Sequence, residues 1–327
     1  MCKFGINPGF MAIVLALICV IASGAGADDI QKPTPMTHTY KTVGDLNIQL
    51  DIYLPKDHSK PIPGIVYLHS GALILNSREE IIPEQLNMLL DSGYAVIAVD
   101  YRLAPETKLP EIVSDVKDAF KWIRKEGPGM FNLDPDRIGV WGRSAGSYLT
   151  LLSGICIEPK PKVLVSFYGY GDLVGEWYTK PDTYYSAMPH VKKDEIGISA
   201  DGPEVTGRGS LNENAGTFYL YCRQNGVWPL EVGGHDPIME KDFFIPYCPL
   251  YNITKAYPPT MLLHGDQDED VPYEQSVMMA SELEKNNVEY EFVTLQGEMH
   301  GFDKDMEKPE IYEAFVKALK FFDKHLK

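Results

Sequence analysis

The chain has 327 residues, with 30 Lys and Arg against 46 Asp and Glu, a formal net charge of −16 at neutral pH. That balance excludes nucleic acid and anionic membranes as default partners, and the acidic residues are scattered as on an ordinary solvated surface. No internal repeat or low-complexity run is visible, and after the first 27 residues no segment is apolar enough to span a membrane.

Residues 1–27 read as an export signal. Lys3 is the only charge, Phe10 to Ala22 is an apolar core, and Ala25-Gly26-Ala27 offers a small-residue cleavage site. The competing reading is an uncleaved N-terminal anchor. A lipoprotein signal fits poorly, because Ile18 stands before Cys19 where a small residue belongs. Cleavage leaves residues 28–327, which one α/β domain with a large core can use in full, in a secreted or periplasmic protein. Cys156, Cys222 and Cys248 remain in that part. An exported chain can oxidise Cys222 with Cys248; three buried free thiols is the equal alternative. No Cys or His cluster has zinc spacing, and no cofactor is implied.

Thr37 to Val43 and Leu46 to Leu54 read as strands around a Gly44-Asp45 turn. Gly64 to His69 is a short buried-type strand. Pro83 to Ser92 reads as a helix with Pro83 in its first turn and Gly93 ending it. Tyr94 to Val99 is another buried strand, and Pro110 to Lys125 an amphipathic helix with Ile112, Val116, Phe120 and Ile123 on one face. Asp134-Pro135-Asp136 turns the chain into a strand from Arg137 to Trp141, and Ala145 to Ile157 follows as a helix. Lys162 to Phe167, Thr260 to His264 and Tyr290 to Leu295 are strands; Tyr273 to Lys285 and Pro309 to His325 are helices. This alternation predicts an α/β fold, a mostly parallel sheet with helices on both faces. Tyr168 to Tyr257 breaks the rhythm. Inserted at the carboxyl end of a strand, that segment of about ninety residues is expected to serve as a lid or cap over the site edge, with a remote surface decoration as the alternative.

Between the strand and helix around residue 144 lies Gly142-Arg143-Ser144-Ala145-Gly146, a nucleophile-elbow pattern in the place the pattern requires. A serine on such a turn takes a strained backbone that lifts its hydroxyl out of the sheet. It needs a base and a carboxylate to orient that base, in the chain order Ser, acid, His. Met261 to Pro272 is a buried strand running into an acidic loop. Of its aspartates, Asp268 falls where the chain has cleared the strand; Asp266 and Asp270 read as turn residues. His300 lies on a glycine-flanked loop after the last strand. His38, His58 and His69 precede the serine, His190 and His235 fall in the insertion, His264 precedes the acidic loop, and His325 is near the end. For the oxyanion, Ala145 N–H follows the nucleophile, and the His69-Ser70-Gly71-Ala72 loop offers Ser70 or Gly71.

Through these segments the chain resembles the α/β-hydrolase superfamily, and within it the hormone-sensitive-lipase-like esterase/lipase group. His69 to Ala72, Asp100-Tyr101-Arg102-Leu103-Ala104-Pro105-Glu106 and Gly142 to Gly146 carry the resemblance, and the Asp268 and His300 segments complete it. It covers residues from Gly64 to the C-terminus apart from the insertion. It implies an exported serine carboxylesterase acting through Ser144, His300 and Asp268 on short-chain, acetyl or aryl esters, carbohydrate-linked ones among them, and an ion-paired structural role for Asp100 to Glu106. Two departures stand out: Ser70 replaces the family's usual glycine, and the cap must come from the insertion rather than from an N-terminal helix. The insertion's Trp177, Tyr178, Tyr184, Tyr185, Phe218, Tyr219, Tyr221 and Trp228 either line a pocket or pack the insertion's own core. A serine peptidase of the prolyl-oligopeptidase type is the rival enzyme, although its usual propeller finds no room here. A non-catalytic binding protein on the same scaffold is the rival class.

Overall fold

The computed structural model describes residues 31–209 and 212–327. The expected export signal, residues 1–27, lies outside them. Lys32–Lys327 pack as one unit around a single sheet.

Two antiparallel strands, β1 (Met36–Val43) and β2 (Leu46–Tyr53), open the sheet around the anticipated turn. β3 (Ile62–Leu68), α1 (Pro83–Asp91), β4 (Ala95–Val99), α2 (Leu109–Phe131), β5 (Leu133–Arg143), α3 (Ala145–Cys156) and β6 (Val163–Phe167) follow in alternation. The insertion then contributes α4 (Glu176–Thr179), α5 (Thr183–Ser186), α6 (Glu213–Asn225), α7 (Trp228–Gly233) and α8 (Lys241–Phe244). β7 (Thr260–Gly265), α9 (Glu274–Lys285), β8 (Tyr290–Leu295) and α10 (Pro309–Leu326) complete the chain. The sheet has eight strands in the order β1-β2-β4-β3-β5-β6-β7-β8, parallel from β4 to β8.

The central strands are buried on both sides because their alternate residues feed two cores. Val66 and Leu68 of β3 join the core under α2, α3, α9 and the insertion. Ile65 and Tyr67 join the core under α1 and α10. A parallel sheet of this kind places its site beyond the carboxyl ends of the strands, where β5, β7 and β8 deliver the candidate residues. Among the described residues no helix is long and apolar enough to cross a membrane.

Two expectations need correction, and one open alternative is decided. The α2 helix runs through Pro128 to Phe131. Its end is fixed by buried Phe131 and by Asn132, which at φ 57° turns its N–H onto Gly127 O. β5 begins at Leu133 rather than Arg137: Leu133 pairs with Ile62, and the Asp134-Pro135-Asp136 turn sits inside the strand as a register shift before Gly64 meets Ile138. Cys222 and Cys248 are buried free thiols, not a disulfide, and Cys248 Sγ accepts the N–H of Leu173 at 3.4 Å.

Candidate active site

β5 ends at Arg143 and α3 begins at Ala145, so Ser144 must reverse the chain in one residue. It does so at φ 53° and ψ −119°, a left-handed conformation that a residue with a Cβ rarely adopts. Its N–H is held by Phe167 O at 3.0 Å, and its own carbonyl starts α3 by accepting from Tyr148 N at 3.0 Å. Gly146 has no alternative here, since a Cβ at that position would stand 2.0 Å from Leu68 O.

The loops after β7 and β8 bring Asp268 and His300 to this serine. His300 Nε2 is 3.1 Å from Ser144 Oγ, and Nδ1 is 2.8 Å from Asp268 Oδ2. His300 N donates to Glu269 Oε2 at 3.1 Å, and the Tyr168 ring stands edge-on to the imidazole at 4.6 Å. Asp268 is buried, with Oδ1 accepting from Asp270 N at 2.9 Å and Val271 N at 2.8 Å. His264 Nε2 approaches Asp268 Oδ2 at 3.2 Å, while its Nδ1 meets Ser276 Oγ at 2.7 Å. Burial alone would raise the Asp268 pKa, but the two imidazoles hold it well below the usual carboxylate range. Burial alone would lower that of His300, but the carboxylates of Asp268 and Asp270 prevail and raise it. With Nδ1–H given to Asp268, the Nε2 lone pair faces the serine hydroxyl.

On the oxyanion side, Ala145 is the first residue of α3, so its N–H has no intrahelical acceptor. Gly71 takes φ 106°, and a Cβ there would stand 2.1 Å from Leu75 O. Ser70 departs from its expected role. Its N–H donates to Glu80 Oε2 at 3.3 Å and its Oγ–H to Glu80 Oε1 at 2.8 Å, while Asn76 Nδ2 donates to Oγ at 2.9 Å. Both Ser70 donors therefore point at a carboxylate, which leaves the amides of Gly71 and Ala145 as the candidate oxyanion donors.

Residues 50–179 match the BD-FAE family, and residues 228–327 match the prolyl oligopeptidase family. Solved structures of the same shape include an α/β hydrolase superfamily protein from Enterococcus faecalis, with TM-score 0.70, 23% identity, 89% of this chain and 99% of that one. They also include the esterase Est2 from Thermogutta terrifontis, with TM-score 0.63, 19% identity, 91% of this chain and 96% of that one. The chain has the α/β-hydrolase fold. An acetyl ester-xyloside bifunctional hydrolase from Caldicellulosiruptor lactoaceticus is another neighbour, with TM-score 0.61, 19% identity, 90% of this chain and 97% of that one. Among curated proteins, the non-reducing polyketide synthase adrD of Penicillium rubens is 28% identical over an alignment 352 positions long. The match takes in 91% of this chain and spans 14% of the synthase's length.

Several residues that support this candidate site escape motif reading. Arg143, the variable position of the elbow, is 1% exposed and clamps two loops together. Its guanidinium lies 3.1 Å from Glu80 Oε1 and 3.5 Å from Asp303 Oδ2, and donates to Tyr67 OH at 3.0 Å. Glu80 thus anchors Ser70, and Asp303 accepts from the Tyr168 hydroxyl on the histidine side. The Asp100 to Glu106 segment is ion-paired: Asp100 meets Arg78, Arg102 grips Asp115, and Tyr101 OH donates to His69 O at 2.8 Å. The insertion reaches the same loops. Trp228 Nε1 donates to Ala72 O at 3.0 Å, and Arg208 Nη1 donates to Ile74 O at 2.7 Å and Ala104 O at 2.9 Å. Most of its rings pack on one another, Trp177 on Tyr178 at 3.6 Å and Tyr178 on Trp228 at 4.4 Å. Among the described residues no group of three or more His, Cys, Asp or Glu is placed to hold a metal ion.

Proposed function

We propose that this chain is an exported serine carboxylesterase that hydrolyses short-chain acyl, acetyl or aryl esters, carbohydrate-linked ones among them. The observation that carries the reading is the unbroken hydrogen-bonded run from Asp268 through His300 to Ser144, at 2.8 and 3.1 Å, with the serine on a strained elbow. The esterase and acetyl ester hydrolase among the structural neighbours support the reaction class. Export rests on the signal-like sequence pattern of residues 1–27.

In this mechanism His300 Nε2 takes the proton of Ser144 as Oγ attacks the ester carbonyl. The N–H groups of Gly71 and Ala145 receive the oxyanion, a donor of this kind being worth about 10²–10³ in kcat. The imidazolium, stabilised by Asp268, gives its proton to the leaving alcohol. His300 then takes a proton from water as that water attacks the acyl carbon, and returns it to Ser144.

Purified protein is expected to hydrolyse p-nitrophenyl acetate and to lose activity as the acyl chain lengthens. Ser144→Ala is expected to abolish the activity, and activity surviving that change contradicts the assignment. Equal activity on peptide amides would instead favour the peptidase.

A further inference from the structure

The acid loop carries a second carboxylate for which the acyl-transfer steps have no use. Asp270 Oδ2 lies 3.5 Å from His300 Nε2, the same nitrogen that faces Ser144 Oγ. Its other oxygen is taken from behind. Asp270 Oδ1 accepts from Arg223 Nη1 at 2.6 Å and from Tyr219 OH at 2.5 Å, both on α6 of the insertion. Arg223 is buried, donates through Nη2 to Asp182 Oδ2 at 2.8 Å, and lies against the rings of Trp177, Tyr178, Tyr185 and Tyr219 at 4.9–5.8 Å. The carboxylate is therefore fixed in place with one oxygen presented beside the imidazole. The side chains of His300 and Asp270 are 17% and 14% exposed, so a substrate can reach both.

Chemistry places the leaving group at this oxygen. When the acyl group passes to Ser144 Oγ, the ester C–O bond breaks and the proton on His300 Nε2 moves to the departing alkoxide oxygen. That oxygen must sit within hydrogen-bonding distance of Nε2, which brings a substituent on its neighbouring carbon within reach of Asp270 Oδ2. An ionised carboxylate only accepts hydrogen bonds, so it favours a donor there and disfavours an apolar group that strips its water without replacing it. An ammonium group is the other candidate donor. The rings that would cage one already hold Arg223, which also neutralises Asp270. The arrangement thus fits a neutral hydroxyl.

We propose that Asp270 is a specificity-determining residue that selects esters whose leaving alcohol carries a free hydroxyl next to the esterified oxygen, as in a partly acetylated sugar or polyol. This rests on the esterase reading and narrows its substrate class.

The test compares kcat/KM for 2-hydroxyethyl acetate and 2-methoxyethyl acetate on the wild type and on Asp270→Asn. The wild type is expected to prefer the hydroxy ester by about tenfold or more, the range for a hydrogen bond to a charged partner. In Asp270→Asn the amide oxygen settles toward Arg223 and the NH₂ faces the site, so the preference is expected to fall to within about twofold, which closes a double-mutant cycle. If that variant fails to fold, Asp270→Glu keeps the Arg223 pair, displaces the free oxygen by one methylene, and is expected to cut the preference as well. A wild-type preference below about twofold, or the same preference in wild type and variant, overturns the proposal. Wild-type hydrolysis of p-nitrophenyl acetate separates the two failures: without it the esterase reading falls, and with it only the hydroxyl preference does.

Discussion

Replacing Arg143 by Met strips the buried cation from beside the elbow while keeping a long apolar side chain. The guanidinium reaches Glu80 at 3.1 Å and Asp303 at 3.5 Å, and the Asp303 side chain is 1% exposed against 17% for Glu80. In Arg143→Met the Asp303 carboxylate stays buried with its cation gone, while Glu80 recovers part of its hydration. Removing one partner of a buried pair costs about 3–5 kcal/mol, and the partial exposure of Glu80 places this case in the lower half of that range. With a urea dependence of about 3 kcal/mol per M for a chain of this size, the unfolding midpoint is expected to fall by about 1 M. Adding Asp303→Asn removes the stranded charge and is expected to restore about half of the loss. Urea unfolding of the purified proteins, followed by fluorescence and circular dichroism, reads both effects. A midpoint shift below about 0.3 M, or no recovery in the double variant, refutes the view that Arg143 is the electrostatic tie between the two loops.

Asp268→Asn leaves the shape intact but removes the charge that orients His300, so kcat is expected to fall by about 10³–10⁴ with KM little changed. The raised pKa of His300 sets the acid limb of the pH profile: activity needs the neutral imidazole, so kcat/KM is expected to rise with pH through a midpoint above the ordinary histidine value of about 6.5. A midpoint at or below that value contradicts the carboxylate surroundings of the ring. Gly71→Ala places a Cβ against Leu75 O at a φ that side chains avoid, so kcat is expected to drop at least about 10²-fold while circular dichroism still reports a folded chain. Trp228→Phe keeps most of the buried ring but deletes the hydrogen bond to Ala72 O, and is expected to cost about 1 kcal/mol in urea unfolding together with a loss in kcat.

Much of the framework is legible in the sequence because its signals are local. Gly44-Asp45 marks the first turn, apolar runs such as Ile65 to Leu68 mark strands buried on both faces, and the order Ser144, Asp268, His300 along the chain survives folding as three strand-end loops. What stays hidden depends on partners far apart. Ser70 reads as an oxyanion donor until Glu80 is seen taking both of its hydrogens, and Glu80 is held there by Arg143, 63 residues away in sequence. Asp266 does stabilise a turn, accepting from Gly297 N at 2.7 Å. Asp270, with the same expectation, instead faces His300 and a buried arginine from the insertion. The early stop expected for α2 fails because burial of Phe131 and the left-handed Asn132 outweigh the local Gly127-Pro128-Gly129 signal.

The central claim, that Ser144 is the nucleophile activated by His300, is tested most directly by a fluorophosphonate probe followed by peptide mapping. One adduct on Ser144 is expected in the wild type, none in Ser144→Ala, and labelling slowed by about 10³ or more in His300→Ala. An adduct on another residue, or undiminished labelling without His300, contradicts it.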